Sequence, residues 1–201
     1  MKLASRPALA AASILVCLSL GATACSDDAG DAGGDSSSQP PLPSGEPSAF
    51  KIETTTTMGR VVGKLPAKER KQLKGAITPV VQRWFDAAYV GGEYPRKNFQ
   101  DAFPGFTSGA RQEAFGDRKL MSNRDIGDRI DGVTPKASRI SLDVLAVGKG
   151  PVAVTARFRL AFKTQGDLER RVNLRGRLAL TRSKTGWQIF AYHVAKNGVK
   201  A

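Results

Sequence analysis

Arg157, Arg159, Arg175 and Arg177 stand two apart in neighbouring segments, VTARFRLAF and VNLRGRLAL. Guanidinium groups gathered in this way pair bidentately with carboxylates or phosphates, so the chemistry they offer is anion binding. The alternative is that they splay into solvent at little cost. For proton transfer the chain has a single histidine, His193. Asp86 and Asp143 are its possible carboxylate partners, and Tyr89 and Tyr94 could line the mouth of a site or simply pack. No spacing joins any of them to His193, and a lone histidine is more often a structural residue than a catalytic one. Asp125, Asp128 and Asp131 lie three apart, whereas calcium loops use every second position before their glycine. Local pairing with Arg124 and Arg129 is the simpler account. No serine elbow, phosphate-cradling glycine loop or metal cluster stands out, and no cofactor is implied.

The arginines owe their grouping to the segments that carry them. Val152, Val154, Ala156, Phe158, Leu160 and Phe162 share one parity, and Thr155, Arg157, Arg159 and Lys163 the other. Val172, Leu174, Gly176, Leu178 and Leu180 likewise alternate with Arg171, Asn173, Arg175, Arg177 and Thr181. Strand side chains alternate between faces, so both segments read as strands with one apolar and one basic face. Strands are expected at about 138–147, 151–164, 170–182 and 186–195, with tight turns at Gly148–Pro151 and Ser183–Gly186 that pair neighbours antiparallel. If Phe162 faces Val172, then Phe158 faces Gly176, Arg159 faces Arg175 and Arg157 faces Arg177. Like charges directly across a ladder destabilise it, so these arginines call for acidic neighbours or an anionic ligand. Gly176 on the apolar parity marks a bend or a close aromatic neighbour. On the last strand, Trp187, Ile189, Ala191 and His193 share one parity, and Phe190, Tyr192 and Val194 the other.

Upstream, FKIETTTTMGRVV (Phe50–Val62) reads as a strand or an extended lead-in. Pro66 opens a helix whose charged start, Lys68–Lys74, is solvated, and Pro79 either kinks it or begins a second helix. Ile77, Val81, Trp84, Phe85 and Ala88 follow helical spacing on one apolar face, which Gly91-Gly92 ends. Phe99, Ala102 and Phe103 suggest one or two helical turns stopped by Pro104-Gly105. Ser108 can cap a helix from Ala110 to Met121, with Ala114 and Leu120 inward. The polar stretch 122–137 reads as a loop.

The N-terminus has another character. Lys2 and Arg6 precede an apolar run, Ala8–Leu20, and then Gly21-Ala22-Thr23-Ala24-Cys25. A short positive segment, a short apolar core and an Ala-x-Ala site form a secretory signal, too short for the roughly 20 apolar residues of a spanning helix. From Ser26 to Ser48 the chain is Asp, Gly, Ser and Pro, unable to bury enough surface to order itself, and reads as a disordered tether. The chain thus divides into a signal at 1–24, a tether at 25–48 and one domain at 49–201. Cys17 falls in the signal and Cys25 at its end, so the domain holds neither of the two cysteines, nor a disulfide or thiol nucleophile.

Charge follows the same division. The net charge is +13, with 31 basic and 18 acidic side chains. Residues 1–47 hold Lys2 and Arg6 against Asp27, Asp28, Asp31, Asp35 and Glu46, which leaves 29 basic and 13 acidic groups in 48–201, a net of +16. Such a domain attracts anionic polymers or membrane surfaces. A nucleic-acid partner does not fit a secreted domain with no aromatic platform among its arginines.

The stretch ending in Thr23-Ala24-Cys25 resembles a bacterial lipoprotein signal, although Ala22 stands where leucine is usual; ordinary secretory cleavage at the same bond is the alternative. The resemblance implies a diacylglycerol thioether on Cys25, anchoring the domain at the outer face of the cell membrane. Helices followed by long antiparallel strands make an α+β layer fold. VVQRWFDAAYVGGEYP, the hairpin VTARFRLAF and VNLRGRLAL, and the closing strand GWQIFAYHV resemble the nuclear-transport-factor-like, or cystatin-like cone, superfamily over about residues 65–197. The whole chain also looks like small actinobacterial lipoproteins of that architecture. The resemblance implies N-terminal helices packed on a curved antiparallel sheet of four to five strands. It also implies a pocket between sheet and helices lined here by Trp84, Phe85, Phe103, Trp187 and Tyr192, with core packing the plainer account of Trp84 and Phe85. Some members are isomerases or dehydratases using an aspartate base, a tyrosine donor or a His–Asp pair; the candidates would be His193, Asp86 and Tyr89. The leading expectation is a non-enzymatic envelope lipoprotein whose basic sheet face, Arg157, Arg159, Arg175 and Arg177, meets anionic lipid, a wall polymer or an acidic protein. The rivals are such a small-molecule enzyme and an accessory module of a membrane complex.

Overall fold

The computed structural model describes residues 53–200. The signal, the tether and Cys25 lie outside the described residues. Five strands form one sheet in the order β1-β2-β3-β4-β5. They are β1 (Thr54–Val62), β2 (Gly132–Val147), β3 (Gly150–Gln165), β4 (Arg170–Ser183) and β5 (Gly186–Lys200). The helices α1 (Ala67–Phe85), α2 (Ser108–Gly116) and α3 (Arg118–Met121) fall between β1 and β2. The fold is α+β, and no helix among the described residues is long and apolar enough to cross a membrane.

The sheet is mixed rather than antiparallel. β1 pairs with β2 in parallel, Thr54 opposite Ser138 and Val62 opposite Leu145. A parallel neighbour needs a long crossover, and residues 63–131 with their helices supply it. From β2 to β5 all pairings are antiparallel. The expected register holds: Phe162 faces Val172, Phe158 faces Gly176, Arg159 faces Arg175 and Arg157 faces Arg177.

One face of the sheet packs on α1. Ile77, Val80, Val81, Trp84 and Phe85 of α1 are buried with Ile140, Leu142, Phe158, Leu160, Phe162, Leu174 and Leu178 of the strands. Pro79 neither ends nor divides α1. It sits on the exposed side, as does Gly75, so the carbonyl deprived of a donor can bond to water. A single π-helical turn, Asp86–Val90, continues the helix, and Gly91 stops it.

Several boundaries differ from expectation for local reasons. Phe99 and Phe103 are buried, but residues 99–103 form turns rather than helix. Thr107, not Ser108, caps α2, its Oγ1 accepting from the Ala110 N–H at 3.4 Å. The helix breaks at Asp117 before α3. Residues 132–137 belong to β2, with a bulge between Pro135 and Ala137. The true loop, 122–131, carries buried Ser122, Asn123, Ile126 and Ile130. In β5 a bulge between the Ile189 and Ala191 pairings reverses parity. Ile189 is therefore buried, Tyr192 and Val194 pack inward, and Phe190 is 49% exposed. The free edge of β5 is partly covered, because the Thr107 N–H donates to Ile189 O and the Ile189 N–H to Gly105 O, each at 2.9 Å.

Candidate anion-binding face

The face of the sheet turned away from α1 carries two rows of side chains across all five strands. One row reads Thr57, Ser141, Arg157, Arg177, His193, and the next Thr55, Arg139, Arg159, Arg175, Ala195. Adjacent strands lie about 4.8 Å apart, so five guanidinium groups crowd an area of two rows by three strands. All five arginines are exposed. They wall a groove of about 670 Å³ that the threonines and Ser141 close on one side and His193 on the other. Smaller grooves of about 380 and 230 Å³ continue along the same face.

One arginine of the five is neutralised. Asp143 holds Arg157 through two contacts, Nε to Oδ2 at 2.8 Å and an Arg157 side-chain N–H donating to Oδ1 at 2.9 Å. Oδ1 also accepts from the Arg60 N–H at 2.8 Å. That bond needs the bulge in β1 and glycine at position 59, where a Cβ would stand 2.3 Å from Oδ1. Among the described residues, Arg139, Arg159, Arg175 and Arg177 make no ion pair. Three of them, Arg139, Arg159 and Arg175, face one another in one row. Such like-charge neighbours oppose pairing, and an anion set between them removes the repulsion. Arg139 is not among the arginines expected on this face, although its parity opposite Ile140, Leu142 and Val144 places it beside Ser141 and Asp143.

The residues considered for catalysis do not meet. His193 is exposed on the arginine face beside Arg177. Tyr89 is fully buried on the other side of the sheet, its O–H donating to Leu120 O at 2.7 Å. Asp86 is exposed in the π-helical turn. The residues expected to line an interior pocket lie in the core or against it. Trp84, Phe85 and Phe103 are at most 2% exposed and are packed ring against ring with Tyr89, Phe106 and Phe158. Trp187 and Tyr192 pack on the rim of that core. None of the five lines the 670 Å³ groove, and only Tyr192 touches the smallest. Asp125, Asp128 and Asp131 form no metal-ligating group among the described residues.

Asp125 instead anchors a lysine on the core side of β5. Lys196 Nζ donates to Asp125 Oδ1 at 2.6 Å, to Ser122 O at 2.8 Å and to Lys119 O at 3.1 Å. Burial holds its ammonium below the usual lysine range, and Asp125 opposes that shift. The strand expected from sequence stops at 195, one residue short of this lysine, although Tyr192, Val194 and Lys196 continue one parity.

All three tyrosines keep their protons past the ordinary range. Burial raises Tyr89 and Tyr94, while Tyr192 is raised by burial and then by its O–H donated to Asp117 Oδ2 at 2.9 Å. A raised folded pKa gives stability that is complete below the unfolded value near 10 and is lost as pH climbs past it. For fully buried Tyr89 the loss is about 1.4 kcal/mol per pH unit. Alkaline titration should therefore show phenolate absorbance rising only together with loss of far-ultraviolet dichroism. A tyrosinate signal with an ordinary midpoint in the folded protein would contradict the burial of these rings.

The chain matches no family model, no curated protein and no solved structure. The site therefore rests on its own geometry.

Proposed function

We propose that this chain is an extracytoplasmic lipoprotein, anchored through Cys25, whose domain is a non-enzymatic binding module for an anionic polymer of the cell envelope. The polymer lies across the arginine rows of the outer sheet face. One observation carries the binding half of this reading: four arginines stand side by side on a groove with no ion pair among the described residues. The Ala-x-Ala-Cys stretch and the net +16 of residues 48–201 support the envelope setting. The packed interior and the separation of His193, Asp86 and Tyr89 weigh against an enzyme. The helix-before-hairpin order and the burial of α1 on the sheet support a cone-like domain of the nuclear-transport-factor type.

The test is retention on an immobilised polyol phosphate over a range of salt. Retention should fall as salt screens the face. The double variant Arg159→Glu, Arg175→Glu removes two cations and adds two anions, and at about 1 kcal/mol per charge near an anionic surface it should weaken retention roughly 1,000-fold. Equal retention by the variant, or retention indifferent to salt, would overturn the reading. Retention of acidic proteins in place of the polymer would move the partner to that class. For the anchor, the mature protein should begin at Cys25 with acyl mass attached, and Cys25→Ser should release it into the medium.

A further inference from the structure

Six large apolar side chains are conspicuously exposed among the described residues, and four of them gather at one end of the sheet. Val62 is 48% exposed, Leu145 45%, Val147 64% and Val152 52%. Val62 faces Leu145 across the β1–β2 pairing, and Val147 and Val152 flank the turn Gly148–Gly150 between β2 and β3. The β4–β5 turn opens at the same end, since Val154 pairs with Leu180 and Leu180 with Ile189. The segments that build this end, MGRVVGKLP (58–66), VLAVGKGPVAV (144–154) and TRSKTG (181–186), hold Arg60, Lys64, Lys149, Arg182 and Lys184 and not one acidic residue. Asp143, two residues before Leu145 on β2, is engaged by Arg157 and by the Arg60 N–H.

We infer that this end of the sheet is a docking tip for an anionic lipid bilayer, with the four aliphatic side chains dipping below the headgroups and the five cations resting among them. Size and charge select this occupant. Four half-exposed aliphatic side chains make a patch of a few hundred Å² at most. A stable protein interface needs about 800 Å² on each partner. A bilayer has no such threshold, because cations near an anionic leaflet and a few inserted side chains add independently. A second copy of the chain would bring five cations against five. The tip is separate from the arginine rows. Leu145 and Ser141 are four residues apart on β2, and at about 3.3 Å per residue the nearer row begins about 13 Å along the sheet. A docked tip leaves the groove in water, free to hold its own ligand, so the inference does not rest on the function proposed above.

The test uses residues 25–201 with Cys25→Ser, which lack the apolar signal and every cysteine. Partition is measured by co-sedimentation with phosphatidylcholine vesicles, with and without phosphatidylglycerol. The chain should bind the anionic vesicles and bind the neutral ones at least ten-fold more weakly. Val147→Asp with Val152→Asp should cut partition at least ten-fold while leaving thermal unfolding and polyol-phosphate retention unchanged. Arg159→Glu with Arg175→Glu should do the converse, costing retention and less than three-fold of partition. An environment-sensitive fluorophore on Val147→Cys should shift to the blue on vesicles, and one on Gln165→Cys, at the other end of β3, should not. The inference is overturned by absence of binding to the anionic vesicles, by unchanged partition of the tip variant, by a Val147→Cys probe that stays in water on bound protein, or by self-association through the tip. Loss of retention with vesicle binding intact would sink the groove and spare the tip.

Discussion

Trp84→Ala should lower the free energy of unfolding by about 3–5 kcal/mol, the range for emptying a buried tryptophan site. The indole is fully buried, with its ring centroid 5.2–5.8 Å from those of Phe85, Tyr89, Phe106 and Phe158. Its Nε1–H donates to Met121 O at 3.3 Å, so truncation also leaves a buried carbonyl without its donor. A domain of this size has about 5–15 kcal/mol in all, so the variant should unfold at much lower urea. Trp84→Phe, which keeps part of the ring contact, should lose less. The result also bears on the enzyme reading. A tryptophan lining an open pocket would shed exposed surface on truncation and cost little. A loss under about 1 kcal/mol would thus point to open space beside the indole.

Gly176→Ala should destabilise the sheet, although alanine in a strand ordinarily gains about 0.5–1 kcal/mol over glycine. The sign reverses because a Cβ at 176 would stand 2.2 Å from the carbonyl oxygen of His193 and 3.0 Å from the Cα of Val194. Both obstacles are backbone, so the β5 strand itself must give way rather than a side chain. Overpacking of this kind costs about 1–3 kcal/mol and sometimes more. At about 2–4 °C per kcal/mol for a domain of this length, calorimetry should show a melting midpoint several degrees lower. His193 and Ala195, which line the groove, would shift with the strand, so polymer retention should fall as well. An unchanged or higher midpoint would mean that β4 and β5 do not approach so closely.

The hairpin was legible because a period of two and a short turn leave little freedom. Once Phe162 faces Val172, the opposition of Arg157 to Arg177 and of Phe158 to Gly176 follows by counting. The apolar face of α1 was legible for the same reason at helical period. The direction of β1 was not, since nothing in TTTTMGRVV encodes whether its partner runs with it or against it. Bulges were equally hidden. The extra residue in β5 sends Phe190 to water and Ile189 to the core, reversing a parity that the sequence presents without a break. Thr107 and Ser108 both carry a capping hydroxyl, and only the backbone decides between them. The loop 122–131 looked polar because its buried members, Ile126, Ile130 and Asn123, sit among charges. At the arginine face, four of the five residues followed from alternation, and Arg139 needed the third strand.

The parallel run of β1 beside β2 has a mechanical consequence. Thr54 enters the sheet at the end remote from the β2–β3 turn, next to the strand that carries Arg139. A force applied through the residues before Thr54, and resisted by something gripping the arginine rows, acts along the strand axis. It loads the hydrogen bonds between the two strands in shear, all at once, instead of peeling them singly from one end. The edge strand that the chain enters first is thus built as a strain-bearing joint.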